Sequence, residues 1–126
     1  MPTNAIVFAA GGFESNPWMR SKYLGPGRDM AMVRGIPYNM GDCIELAIQD
    51  LDALPVGNWS GCHATCWDAN VGPSVGDREA SNGYTKSRYP LGLVINVEGN
   101  RFVDEGVAMR SYTYAKFGRS ILQQPD

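Results

Sequence analysis

The spacing of hydrophobic positions changes several times along this chain, and each change predicts an element. Residues 4 to 10, Asn-Ala-Ile-Val-Phe-Ala-Ala, form a short apolar run with β-branched and aromatic members that stops at Gly11 and Gly12. That pattern predicts a buried strand. In the stretch that follows, Ser15 or Asn16 can cap, Pro17 suits a first helical position where its missing N–H costs nothing, and Gly25 ends the element, so a helix is expected between them. Residues 25–40 cluster glycine and proline without a sustained period, as a connection does. Beyond Gly41, the residues Ile44, Ala47, Ile48 and Leu51 recur at i, i+3, i+4 and i+7 and give a second helix one apolar face. Asp42 and Glu45 have the spacing of a capping box, with both acids at the positive end of the helix dipole.

Residues 55–88 are rich in Gly, Pro, Asn and Ser, interleaved with Trp59, Trp67 and Tyr84. Only short strands or loops are expected there, and irregular stretches of this length are more often functional than idle. Then Leu91, Leu93, Ile95 and Val97 alternate onto one face, and Glu98-Gly99-Asn100 offers a tight turn before Arg101-Phe102-Val103 returns. This predicts a β-hairpin. A last helix is expected over 107–123, with Tyr112 or Tyr114, Phe117 and Ile121 as its apolar stripe. Together these elements predict an α+β fold, a small antiparallel β-hairpin or sheet with two to three helices.

Composition narrows the function classes. A chain of 126 residues, 44% apolar, has room for one domain with a real core. Its net charge of −2 and scattered basic residues leave no electrostatic footprint for nucleic acid or an anionic membrane. No window approaches the roughly 18 apolar residues of a spanning helix, so a soluble protein without membrane insertion is expected. The apolar N-terminal stretch lacks the basic start of a signal peptide and reads as mature sequence. Three cysteines, Cys43, Cys62 and Cys66, are an odd number without a staple-like spacing, which favours reduced thiols and a cytoplasmic location. His63, the single histidine, lies beside Cys62 and three residues before Cys66. Structural zinc sites usually present two spaced ligand pairs, and neighbours in an extended segment point apart, so no metal site is expected.

The segments VFAAGGFESNPWMRSKYLGP, YNMGDCIELAIQD, SGCHA and LVINVEGNRFVDEGVAMR occur in an order that resembles the flavoprotein family of fumarate reductase and succinate dehydrogenase. Within it the chain is similar to the tricarballylate dehydrogenase branch and to the flavin half of precorrin-3B synthase-like fusion proteins. The resemblance implies an internal slice of an FAD-dependent oxidoreductase. Residues 1–57 would be the end of an FAD-binding segment and 58–126 the first part of a substrate-capping domain. The parent activity it implies is α,β-dehydrogenation of a small di- or tricarboxylate, with a proton taken by a protein group, a hydride passed to flavin and a further electron-transfer partner. The G-x-G-x-x-G turn that would cradle the FAD pyrophosphate does not occur in these residues, so FAD is expected in the parent and not on this slice alone.

Residue by residue, the resemblance gives Arg110 the catalytic position and His63 and Arg88 substrate-binding positions. It gives Ala10, Gly11, Gly12, Gly41 and Asp42 contacts to the cofactor. Each has a plainer reading: an unremarkable histidine, surface arginines, a helix cap, and glycines in tight turns. A guanidinium that stays protonated suits charge stabilisation better than proton transfer. The glutamate that related reductases use for proton delivery has no clear equivalent near Lys86 and Arg88, and Arg101 reads as a structural salt-bridge partner. Two rival expectations stand beside the enzyme. One is a non-catalytic module that binds no FAD and self-associates through apolar patches; the other is an unrelated zinc-binding domain.

Overall fold

The structure is a computed structural model and describes residues 3–70 and 83–125. Its regular elements are short: α1 (Pro17–Met19), continued by a π-helical turn (Arg20–Leu24), then α2 (Asp42–Asp50), a 3-10 turn (Tyr89–Leu91), α3 (Arg110–Thr113) and α4 (Phe117–Ile121).

The N-terminal half is organised around α1. The Asn16 side chain accepts from the Met19 N–H at 3.1 Å and donates to the Met40 carbonyl at 2.8 Å, so one residue both caps the helix and ties it to the chain entering α2. Met19 is fully buried against Gly41, where a Cβ would collide with its sulfur. Arg20 turns inward, and its guanidinium donates to the carbonyls of Glu14, Arg28 and Asp29. Phe13, Tyr23 and Trp59 form an aromatic cluster with centroids 4.8 to 6.3 Å apart, Phe13 and Trp59 stacked and the other two pairs tilted.

The C-terminal half has a separate apolar cluster of Cys66, Tyr89 and Phe117, against which Val94, Val103 and Tyr114 pack. Residues 62–66, which form no helix, turn or strand, run past α4. Ala64 donates to the Ala115 carbonyl at 3.0 Å and accepts from the Gly118 N–H at 2.8 Å. On the other side Lys86 N–H reaches the Cys66 carbonyl at 2.9 Å, next to an isolated bridge between Trp67 and Thr85.

The α+β expectation is corrected here. Among the described residues there are four α-helices and no β-strand or sheet. The expected hairpin reduces to one bridge, Ile95 to Arg101, closed by Asn96 N–H to the Asn100 carbonyl around Gly99 at φ +81°. Two causes are visible. The Val94 N–H goes to the Glu105 carboxylate, which takes it out of any ladder. The alternating apolar face also finds no layer to cover it, and Leu91, Leu93, Ile95 and Val97 are 86, 73, 59 and 73% exposed. Alternation predicts a strand only where a second surface buries one face.

Residues 4–10 likewise form no strand and are exposed rather than buried. The single helix expected over 107–123 is two, because the Ala115 carbonyl and the Gly118 N–H are both spent on Ala64. The capping box also fails to form. Gly41, at φ +89°, is the N-cap of α2, no side chain caps it, and Asp42 is already helical.

The family expectation falls with the sheet. A flavin domain of that type places the dinucleotide at the carboxyl ends of parallel strands, with a helix N-terminus on the pyrophosphate. The described residues form no such strands. Among them no helix is long and apolar enough to cross a membrane.

Candidate functional site

Three exposed side chains from the sequence-derived site lie in the C-terminal half, each on its own element. His63 projects from the segment 62–66 and meets the edge of Tyr114, with ring centroids 5.4 Å apart at 80°. Arg110 opens α3, and its carbonyl accepts from Tyr89 Oη at 3.3 Å and Thr113 Oγ1 at 3.4 Å. Arg88 directly precedes the 3-10 turn and lines an open groove of about 610 Å³ with Thr85, Lys86, Tyr89, Leu93 and Ile95.

The fold brings these elements together through buried neighbours rather than through the three side chains. Tyr89 Oη lies 2.6 Å from Thr113 Oγ1, which fixes the 3-10 turn against α3. The ion pairs among the described residues are Lys86 with Asp68 and Arg101 with Asp104 and Glu105, so none engages His63, Arg88 or Arg110.

Among the described residues, the groups whose titration is displaced are held by the chain's own hydrogen bonds or by burial. The Glu105 carboxyl is 3% exposed and is held below the usual carboxylate range, first by the Val94 N–H and further by Arg101, which reaches it through Nε at 2.8 Å and Nη2 at 2.5 Å. Asp68 is lowered by its hydrogen bond from Lys86. Burial pushes the Cys66 thiol up and the Arg20 guanidinium down. Among the described residues, none of these displaced groups hydrogen-bonds the side chain of Arg110 or His63.

The five residues proposed to touch a cofactor lie in the N-terminal half. Ala10 and Gly11 border an apolar groove of about 410 Å³ together with Phe8, Cys43, Ile44, Leu54 and Trp59. The fit to a dinucleotide is poor. At Gly11, φ +78°, a Cβ would meet the Asn39 side chain 2.6 Å away, and at Gly12 it would meet the Glu14 carboxylate at 2.9 Å. At Gly41 the space is taken by Met19 and Phe13. These glycines make room for the chain's own side chains, not for an approaching pyrophosphate. The first turn of α2 also carries Asp42 and Glu45, two carboxylates where a phosphate would need positive potential. The residues present do not fit the group, and the oxidoreductase reading is withdrawn together with the flavin fold.

Among the described residues no set of three potential metal-binding side chains converges. Cys43 and Cys62 are half-buried and Cys66 is buried, all three as free thiols. Arg119 reaches back to the Ser60 and Cys62 carbonyls at 3.3 and 3.5 Å, which places its guanidinium 3.7 Å from Cys62 Sγ.

Sequence reasoning missed the two buried charges. Glu105 had a signal, the i, i+4 spacing from Arg101, which had already been read as structural. Arg20 had none, since its partners are backbone carbonyls. Comparison of this chain with protein-family models, curated proteins and solved structures finds no match.

Proposed function

We propose that this chain is a non-catalytic module that acts by associating with a second copy of itself and takes up no FAD. The observation that carries this reading is its surface. The chain exposes 9182 Å², whereas a folded monomer of 13.8 kDa scales to roughly 6,600 Å². The difference, roughly 2,500 Å² by the same scaling, falls on a chain whose buried hydrophobic residues, among those described, are Met19, Val33, Cys66, Tyr89 and Phe117. Ile6, Val7, Leu54, Val56, Leu91, Leu93, Val97, Val107 and Met109 all stay exposed.

A total surface this far above the monomer scaling, with so many large apolar side chains in it, supports a face that association covers. Covering it calls for an interface of the obligate homodimer class, about 2,000–5,000 Å² in total, instead of a transient contact. A net charge of −2 opposes self-association only weakly. The intrachain filling around Gly11, Gly12 and Gly41 supports the absence of flavin uptake.

Sedimentation equilibrium across the micromolar range tests the association, and a reversible dimer or higher oligomer is expected. A strictly monomeric species throughout that range refutes it. Titration with FAD tests the second half, where flavin fluorescence is expected to stay unquenched. Saturable quenching would restore a cofactor role.

A further inference from the structure

The least satisfied backbone in the described chain is its first apolar run. Residues 5–9 adopt no helix, turn or strand, and among the described residues none of the backbone hydrogen bonds outside the helices engages an N–H or C=O of residues 6–12. Ile6, Val7 and Phe8 are 60, 90 and 43% exposed. Backbone groups left in that state, on a run of β-branched and aromatic residues, form a template for another strand. The run does not hang free. Its far end, Phe8 to Gly11, borders the groove walled by α2 and by Leu54, Val56 and Trp59.

We infer that two copies of this chain pair through residues 5–9 as antiparallel strands about a two-fold axis. The inference rests on the self-association reading and specifies the segment that mediates it. Three observations select a second copy as the occupant. The chain carries no charged side chain from Thr3 to Phe13, so the segment meets its own image without like-charge repulsion. Centred on Val7, the antiparallel register sets Ile6 opposite Phe8 of the other copy, a β-branched residue against an aromatic one on the same face, twice by symmetry. The third is area: a two-stranded ribbon alone is marginal in water, and the roughly 2,500 Å² of surplus surface supplies the flanking contact it needs.

Strand pairing has a signature that apolar packing lacks. In an antiparallel pair, alternate residues direct N–H and C=O at the partner and the others direct theirs away. Proline removes the N–H, so it breaks pairing at one parity and is tolerated at the other. The experiment is sedimentation equilibrium on the full chain and on Ile6→Pro, Val7→Pro and Phe8→Pro, with circular dichroism to confirm that each retains its helices. Because residues 6–8 make no backbone hydrogen bond to another described residue, the helices are expected to survive all three changes.

The expected result is that Val7→Pro differs from the pair Ile6→Pro and Phe8→Pro. One parity weakens association about tenfold or more, since symmetry removes two bonds, and the other stays within about threefold. Hydrogen exchange gives an independent measure: alternate amides between 5 and 9 gain protection as concentration rises through the dissociation constant. An associating wild type whose proline variants behave alike, all intact or all weakened, with no alternating protection, overturns strand pairing and leaves self-association standing. A monomeric wild type overturns both.

Discussion

Gly118→Ala sets two effects of opposite sign against each other at the joint between α4 and the segment 62–66. Helix propensity favours the substitution by about 1 kcal/mol, because alanine loses less backbone freedom than glycine. Sterics oppose it. A Cβ at Gly118 would lie 2.5 Å from the Ala64 carbonyl oxygen and 2.9 Å from the Ala64 Cβ, contacts with a backbone that cannot rotate aside. Ala64 is also held from both directions, by its N–H to the Ala115 carbonyl at 3.0 Å and by the Gly118 N–H to its own carbonyl at 2.8 Å. Relieving the collision stretches one of these bonds, at about 0.5–1.5 kcal/mol, on top of an overpacking cost of about 1–3 kcal/mol.

Sterics win, and the net loss is about 0.5–3.5 kcal/mol after the propensity gain is subtracted. For a domain of this length that lowers the melting temperature by roughly 2–14 °C. Gly92→Ala is the matched control, since its φ of −149° suits any residue and nothing lies within 4 Å of the added carbon. Its stability is expected to stay within about 0.5 kcal/mol of wild type. Thermal melts followed by circular dichroism compare the three proteins. If Gly118→Ala melts at or above the wild-type temperature, the packing of α4 on Ala64 is wrong.

Tyr89→Phe keeps the ring against Phe117 but removes the hydroxyl that meets Thr113 and the Arg110 carbonyl, and a loss of about 1 kcal/mol in urea unfolding is expected; an unchanged midpoint would count against that network. Glu105 makes stability fall in acid. Its folded carboxyl is depressed, so its contribution is full above the ordinary glutamate value of about 4.3 and is lost as pH falls through its lower folded value. Glu105→Gln should flatten that acid limb in melts run from neutral pH downward, and superimposable limbs would contradict the assignment. Among the thiols, Cys66 should alkylate last, because it is buried and its thiol is pushed up, whereas Cys43 and Cys62 are partly open. Peptide mass spectrometry after timed iodoacetamide treatment gives the order, and early labelling of Cys66 would refute the burial.

Local punctuation was legible in the sequence where its cause is local. Pro17 begins α1, Asn16 caps it, Gly25 closes the π turn, and Asp42 and Glu45 fall in the first turn of α2. What the sequence could not carry was whether an apolar pattern would find a cover. The alternation from Leu91 to Val97 and the run from Ile6 to Phe8 have strand composition, but a strand needs a paired backbone and a packed face, and both are properties of distant chain. The long C-terminal helix was misread for a similar reason. Ala64 lies about fifty residues from the carbonyl and the N–H it takes from Ala115 and Gly118, beyond the reach of any periodicity. The candidate site suffered most. His63, Arg88 and Arg110 were placed by resemblance, and what joins the elements of Arg88 and Arg110 is a tyrosine and a threonine that no motif singled out, while the segment of His63 is held through Ala64 and Cys66.

Arg20 is in effect a captive ion. The carbonyls of Glu14, Arg28 and Asp29 gather around its guanidinium much as a binding loop gathers around a cation taken from solution, with the difference that this cation is tethered to the chain. The loop closed over it, which includes Gly25 and Gly27 at positive φ, therefore has a ligand whose local concentration never falls. Chelators have nothing to remove and dilution nothing to disperse. Arg20→Lys would substitute a point charge for a planar fork and should leave the loop under-coordinated even though the charge is retained.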